Sequence, residues 1–195
     1  MKSLPLQCEA YYLENFLSEE EASILFSEVL SVFDITNKHM TMADGSVYTA
    51  ETATYIFTDE EYTSFDAIHE VWGGRSPWTP LLARVREQVR EQTGVNFQVA
   101  RCVYYKDGTE GVSFHRDLPA YGSTSKIASL SLGAVRDFEI RNISGDNQPL
   151  KVGLASGSLL FMGDGFQDLY EHGLPLDEGC SLPRLNLTFR RYGWD

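Results

Sequence analysis

The hydrophobic pattern of this 195-residue chain changes period near Asn96, and no other feature limits its possible folds as tightly. Before that point apolar residues recur at helical spacing. Ser18-Glu19-Glu20-Glu21 reads as a capping box, and Ala22, Leu25, Val29 and Val32 follow on one face, which predicts a helix over 18–33. A second helix begins near Trp78-Thr79-Pro80, buries Leu81, Leu82, Val85 and Val89, and ends at Gly94. From Asn96 onward the helical period gives way to short β-rich runs at 96–105, 127–133, 136–141, 158–162 and 184–192. Turn residues separate them, notably Ser144-Gly145-Asp146-Asn147 and Gly163-Asp164-Gly165. The expected class is α+β, with a jelly-roll (double-stranded β-helix) core braced by N-terminal helices. Residues 45–58, with Val47, Tyr48, Tyr55, Ile56 and Phe57, read as a hairpin or lid strand.

The length suits one domain over 1–195, made of a helical and lid-bearing part (1–95) and a jelly-roll part (96–192). No apolar run reaches the roughly 18 residues of a membrane span, and Gln7, Cys8 and Glu9 interrupt the opening stretch before it can act as a secretory signal. A cytoplasmic protein is expected, monomeric and without a membrane partner. Cys8, Cys102 and Cys180 form no CxxC pair, so they read as reduced, mostly buried thiols. The net charge of −12 is uneven: residues 1–100 carry 6 Lys and Arg against 16 Asp and Glu, and residues 101–195 carry 10 against 12. Such a surface has no general attraction for phosphates, so nucleic-acid contact requires a local basic strip.

His115-Arg116-Asp117 places an imidazole and a carboxylate at i and i+2, the spacing that shares one face of an extended strand. Taken alone, such a tripeptide is usually a surface salt-bridge cluster. Of the remaining histidines, His39 and His69 have polar or acidic neighbours and read as surface or capping residues, while His172 lies late in the β-rich half. Two histidines and one carboxylate on one face leave open positions on an octahedral metal, an arrangement suited to non-haem iron(II) oxygenases. The run Arg184-Leu185-Asn186-Leu187-Thr188-Phe189-Arg190 adds weight. Positions 184, 186, 188 and 190 face one way on a strand, and an inward polar row needs a charged partner. Arg184 and Arg190 could grip the two ends of a dicarboxylic acid by paired hydrogen bonds.

With these residues in hand, the C-terminal half resembles the AlkB-like family of Fe(II)/2-oxoglutarate dioxygenases. The resemblance rests on Tyr105-Lys106-Asp107-Gly108, Phe114 to Asp117, Ile127 to Gly133, Arg136-Asp137-Phe138, Gly157 to Leu160, His172-Gly173 and Arg184 to Arg190. It implies Fe(II) held by His115, Asp117 and His172, with 2-oxoglutarate and dioxygen as cosubstrates. It further implies that Arg184, helped by Tyr105 and Asn186, holds the far carboxylate of 2-oxoglutarate, and that Arg190 lies near the metal-bound end. Three departures stand out. Val103 replaces the family's usual asparagine and removes a polar contact to the cosubstrate, Pro119 replaces an acidic residue that reads the damaged base in DNA-repair members, and Tyr48-Thr49-Ala50-Glu51-Thr52 lacks the usual Pro-Arg element of the nucleotide-recognition lid.

The activity the resemblance implies is oxidative demethylation of alkylated single-stranded nucleic acid, DNA or RNA, as in repair. An N-methyl group is hydroxylated and lost as formaldehyde while 2-oxoglutarate becomes succinate and CO2. Tyr48, Tyr55, Phe57 and Trp78 are candidate walls for an extruded base, although aromatic residues more often fill cores. Pro119 and the acidic front half favour an alternative, a hydroxylase or demethylase of a protein or small molecule. A non-catalytic binding module on the same fold is a third reading.

Overall fold

The computed structural model describes residues 1–195 except Ala43, Phe65, Asp146, Asn147 and Asp195. In chain order the elements begin with β1 (Lys2–Ser3), β2 (Ala10–Leu13), α1 (Glu19–Val32), β3 (His39–Thr41), β4 (Val47–Thr49) and β5 (Ala53–Thr58). Next come β6 (Gly74–Pro77), α2 (Pro80–Thr93), β7 (Val99–Tyr105), β8 (Val112–His115), β9 (Ile127–Gly133) and β10 (Arg136–Asn142). The chain closes with β11 (Leu150–Leu154), β12 (Ser158–Met162), α3 (Phe166–Leu169), β13 (Tyr170–Leu174) and β14 (Arg184–Arg190).

These strands form a jelly roll. One sheet runs β1-β2-β12-β9-β14-β7-β5-β6, the other β11-β10-β13-β8, and β3 and β4 form a separate hairpin. The two long helices, α1 and α2, form for the reasons their sequences give. Ser18 and Glu21 satisfy each other's backbone N–H groups in a capping box, and Pro80 opens α2 behind the Thr79 cap. The buried faces of α1 and α2 join Phe57, Phe97, Phe161 and Phe189 in the main core on the outer side of the large sheet. At about 1.5–3 kcal/mol per fully buried apolar side chain, this layer keeps the large sheet from sliding against its helices.

Sequence and structure part in three places. Ala53–Thr58 is not a lid strand: it pairs with β7 inside the large sheet, with Phe57 fully buried, and only Val47–Thr49 belongs to a hairpin. Strands β8, β11 and β13 lie outside the five β-rich runs expected from the sequence, because their few apolar residues show no period until a partner strand is present. Cys102 is buried, but Cys8 and Cys180 are only half-buried; all three are free thiols. The expected turn at Ser144 to Asn147 lies outside the described residues at Asp146 and Asn147.

Two glycines permit close backbone approaches that shape the jelly-roll interior. A side chain on Gly108 would meet the Asp177 carbonyl oxygen at 1.7 Å, so the 106–111 loop can lie against the 175–180 segment only because that position is bare. Buried Arg136 binds these segments together by donating to the carbonyls of Asp107, Glu110 and Pro175. Gly73 has φ of 91°, and a Cβ there would meet the Thr54 carbonyl at 2.3 Å. This close approach seats Trp72 beside β5, where Thr54 Oγ1 donates to the Trp72 carbonyl at 3.1 Å.

Candidate metal centre and cosubstrate cavity

His115, the last residue of β8, stands directly across from His172 on β13, and Asp117 follows two residues beyond the strand end. The i, i+2 spacing thus carries the first pair, and strand pairing delivers the third side chain. One ligand atom from each of the three lies within 4.8 Å of those of the other two. His115 Nδ1 is 2.9 Å from the Ser113 carbonyl; donation there leaves Nε2 with a free lone pair. His172 is buried against Phe138, with ring centroids 5.1 Å apart, and burial pushes its pKa down to about 4, partly offset by Asp117. The ring is therefore neutral, the form that ligates metals. Burial alone would raise the Asp117 carboxyl, but Arg190, then His172 and His115, hold it below the usual carboxylate range.

The donor set fits an iron(II) ion. His172 Nε2 lies 3.6 Å from Asp117 Oδ2, too long for a good hydrogen bond. Ligands about 2.0–2.2 Å from one metal in cis positions stand about 3 Å apart, close to what this gap allows. Asp117 is aimed by two neighbours. Arg190 makes an ion pair with Oδ1, while Gln167 of α3 accepts from the Asp117 N–H at 2.9 Å and donates to Oδ2 at 3.4 Å.

Above this trio opens a cavity of about 500 Å³, of a size for small ligands. Strand β14 alternates as its sequence demands: Leu185, Leu187 and Phe189 enter the core, while Arg184, Asn186, Thr188 and Arg190 line the cavity. Tyr105, opposite Arg184 in the β7 pairing, completes this end. Arg184 is fully buried and donates to Ser131 Oγ at 3.0 Å and Asn186 Oδ1 at 3.1 Å, and among the described residues no carboxylate pairs with it. Burial drives its pKa down to about 10. Asn186 also accepts from Ser129 at 2.9 Å and donates to Thr188 at 2.8 Å, so it holds Arg184 in place.

All seven site residues expected from the sequence line this one cavity, and several further residues had escaped notice. Ser129 and Ser131, polar at alternate positions of an apolar strand, carried a readable signal. Arg101, a lone charge in the apolar run of β7, carried another. Gln167 carried none, because its contact with Asp117 spans 50 residues of sequence. Trp72 and Tyr48 line the outer wall, whereas Phe57 is core and Tyr55 and Trp78 pack against that core instead of forming walls. Pro119 is exposed and outside the cavity lining, and Val103 lies within it. His39 is exposed beside Thr49, and His69 caps the short 3-10 turn Glu70–Trp72.

A jelly roll carrying two histidines and one carboxylate beside a buried, anion-seeking guanidinium is the architecture of an iron-dependent oxygenase. The family model described as the 2OG-Fe(II) oxygenase superfamily matches residues 9–190, and the chain belongs to that superfamily, in its AlkB-like branch. Fe(II), 2-oxoglutarate and dioxygen are the cofactor and cosubstrates that go with this membership. The chain is 40% identical over 123 residues to DNA oxidative demethylase ALKBH2 of Mus musculus, covering 59% of this chain and 52% of the relative. Alpha-ketoglutarate-dependent dioxygenase alkB homolog 3 of Mus musculus is 36% identical over 122 residues, covering 58% and 43%. The chain therefore spans about half the length of the curated relatives it matches. The solved structure of OsALKBH1 superposes with a TM-score of 0.66 at 17% identity, over 96% of this chain and all of that one, which supports the fold. No helix among the described residues is long and apolar enough to cross a membrane.

Proposed function

We propose that this protein is an Fe(II)/2-oxoglutarate-dependent dioxygenase that oxidatively demethylates alkylated nucleic acid. The observation that carries the oxygenase reading is the pairing of two features in one cavity: a converging three-donor face, and a buried Arg184 with no carboxylate partner among the described residues. In this reading His115, Asp117 and His172 hold the metal, while Arg184 and Tyr105 receive the far carboxylate of 2-oxoglutarate. Arg190 keeps Asp117 ionised and turned toward the two imidazoles. Bound iron supplies the dioxygen chemistry, coupling decarboxylation of 2-oxoglutarate to oxidation of a substrate C–H bond. Phe138, Met162 and Leu174 give the cavity apolar walls that limit water.

The nucleic-acid substrate is supported by the relative named as a DNA oxidative demethylase. In the same reading the chain is one catalytic unit, monomeric and cytoplasmic; three unpaired cysteines fit a reducing compartment. The test is to load the protein anaerobically with Fe(II) and 2-oxoglutarate, admit oxygen, and quantify succinate and formaldehyde with methylated single-stranded DNA, RNA and a methylated peptide. Succinate from the wild type and none from His115→Ala is expected, with formaldehyde from a nucleic-acid substrate. Equal succinate from both proteins removes the metal assignment, and formaldehyde from the peptide alone moves the substrate to protein.

A further inference from the structure

Three guanidiniums line the cavity, and contacts account for two of them: Arg190 is paired with Asp117, and Arg184 is held by Ser131 and Asn186. The third, Arg101, faces the cavity from β7 and makes no hydrogen bond or ion pair among the described residues. Its Nε is buried and without a partner, as are those of Arg184 and Arg190, but unlike theirs its terminal nitrogens also make no hydrogen bond among the described residues, and its guanidinium lies over the Trp72 ring, 5.1 Å from the centroid. Beside it, the Tyr121 hydroxyl is also buried and without a partner, and the Tyr121 ring meets Trp72 edge-on at 6.0 Å. Buried donors are nearly always satisfied, so a cavity-facing guanidinium without any partner marks a place for an acceptor from outside the chain.

Arg101 stands four residues from Tyr105 along β7, about 13 Å at the rise of a strand, and so well away from the Arg184 end of the cavity. Its stacking partner Trp72 belongs to the outer wall, which includes Tyr48. The acceptor it awaits is therefore on the substrate side. The facing charged and titratable groups are Arg190, Tyr121, Tyr105 and Asp117. Asp117 is already engaged by Arg190, and the other acidic lining residue, Glu51, is exposed at the rim, where water and salt screen it. The substrate side of the cavity thus carries an unneutralised positive charge in a molecule whose net charge is −12.

We propose that Arg101 is a substrate-selecting residue that favours a neutral, carbonyl-bearing alkylated base over a cationic one. Methylation at N1 of adenine or N3 of cytosine leaves a ring with a positive charge, which Arg101 repels. A thymine or uracil methylated at N3 stays neutral and presents two carbonyl oxygens, acceptors that suit a guanidinium. The inference rests on the nucleic-acid substrate proposed above and names the class of base.

The test is equilibrium binding without turnover. Protein loaded with Mn(II) and 2-oxoglutarate under anaerobic conditions is titrated into fluorescent single-stranded oligonucleotides carrying one 3-methylthymine or one 1-methyladenine, and anisotropy is read. The wild type is expected to bind the 3-methylthymine strand roughly tenfold or more tightly, the size of a charge-assisted hydrogen bond. Arg101→Leu should bring the ratio to about one, and Arg101→Gln, which keeps donors without charge, should fall between. Either substitution removes a buried unpaired charge and is expected to leave the thermal midpoint unchanged or higher and the 2-oxoglutarate affinity unchanged. A ratio favouring 1-methyladenine, a ratio insensitive to Arg101, or loss of 2-oxoglutarate binding in Arg101→Leu overturns the proposal while leaving the demethylase reading intact. Binding of neither strand by protein that still binds 2-oxoglutarate overturns both.

Discussion

The two ends of β14 carry the same side chain in opposite circumstances. Arg190 has its anion inside the fold, since Asp117 neutralises it and is held ionised in return. Arg184, six residues earlier on the same face, has only neutral oxygens of Ser131 and Asn186 around it. A buried guanidinium paired within the protein orients a neighbouring group; one left unpaired is a socket for a ligand. Identity and burial are alike at the two ends, so the partner alone separates positioning from binding.

The strongest way to break this contrast is at Asp117. Asp117→Ala should abolish Mn(II) binding measured by calorimetry and, by leaving Arg190 buried without its anion, lower unfolding stability by about 3–5 kcal/mol in urea titrations. Unchanged metal affinity would mean that the trio is an ion-pair cluster and not a metal centre. At the other end Arg184→Met should weaken 2-oxoglutarate binding by roughly a hundredfold, the upper range for a hydrogen-bonded charge. The metal-free protein should be as stable as the wild type or more so, because an unpaired buried cation is gone. A large stability loss would show that Arg184 is structural, like Arg190. Gln167→Leu sharpens the metal end: loss of its two contacts with Asp117 should reduce Mn(II) affinity by about tenfold, within the range seen when groups that hold a ligand are removed. The 2-oxoglutarate contacts at the Arg184 end should be untouched, as judged by affinity at saturating metal. The smallest effect is a control on the shared core behind both ends. Burial pushes the Cys102 thiol up to about 12, so iodoacetamide at neutral pH should label Cys8 and Cys180 in the native protein and spare Cys102, as mass spectrometry would show.

The floor of the cavity was legible in the sequence, and the outer wall only in Tyr48. Alternation in Arg184 to Arg190 is a local property, since a strand with three apolar residues on one side must bury that side, and the polar row then has one place to go. The HxD spacing is equally local. The outer wall is built from Tyr48, Glu51 and Trp72 in connecting segments without a period. Those segments are fixed by distant contacts, such as Lys38 reaching Glu110 and Thr54 donating to the Trp72 carbonyl. Strand β5 was misread for the same reason: Tyr55-Ile56-Phe57 is apolar on successive positions, which fits an interior strand as well as a lid until β7 is seen beside it.

By itself the sequence determined the helix caps, the inward face of the last strand and the chemical kinds of ligand, because these follow from intervals of two to four residues and from side-chain chemistry. Only the tertiary structure decided that His172 lies opposite His115, that Gln167 and Arg190 both aim Asp117, and that Arg184 and Arg101 have no carboxylate partner among the described residues. Those facts depend on which strands pair and in what register, and pairing is settled by burial over the whole domain, a quantity that no short stretch of chain contains.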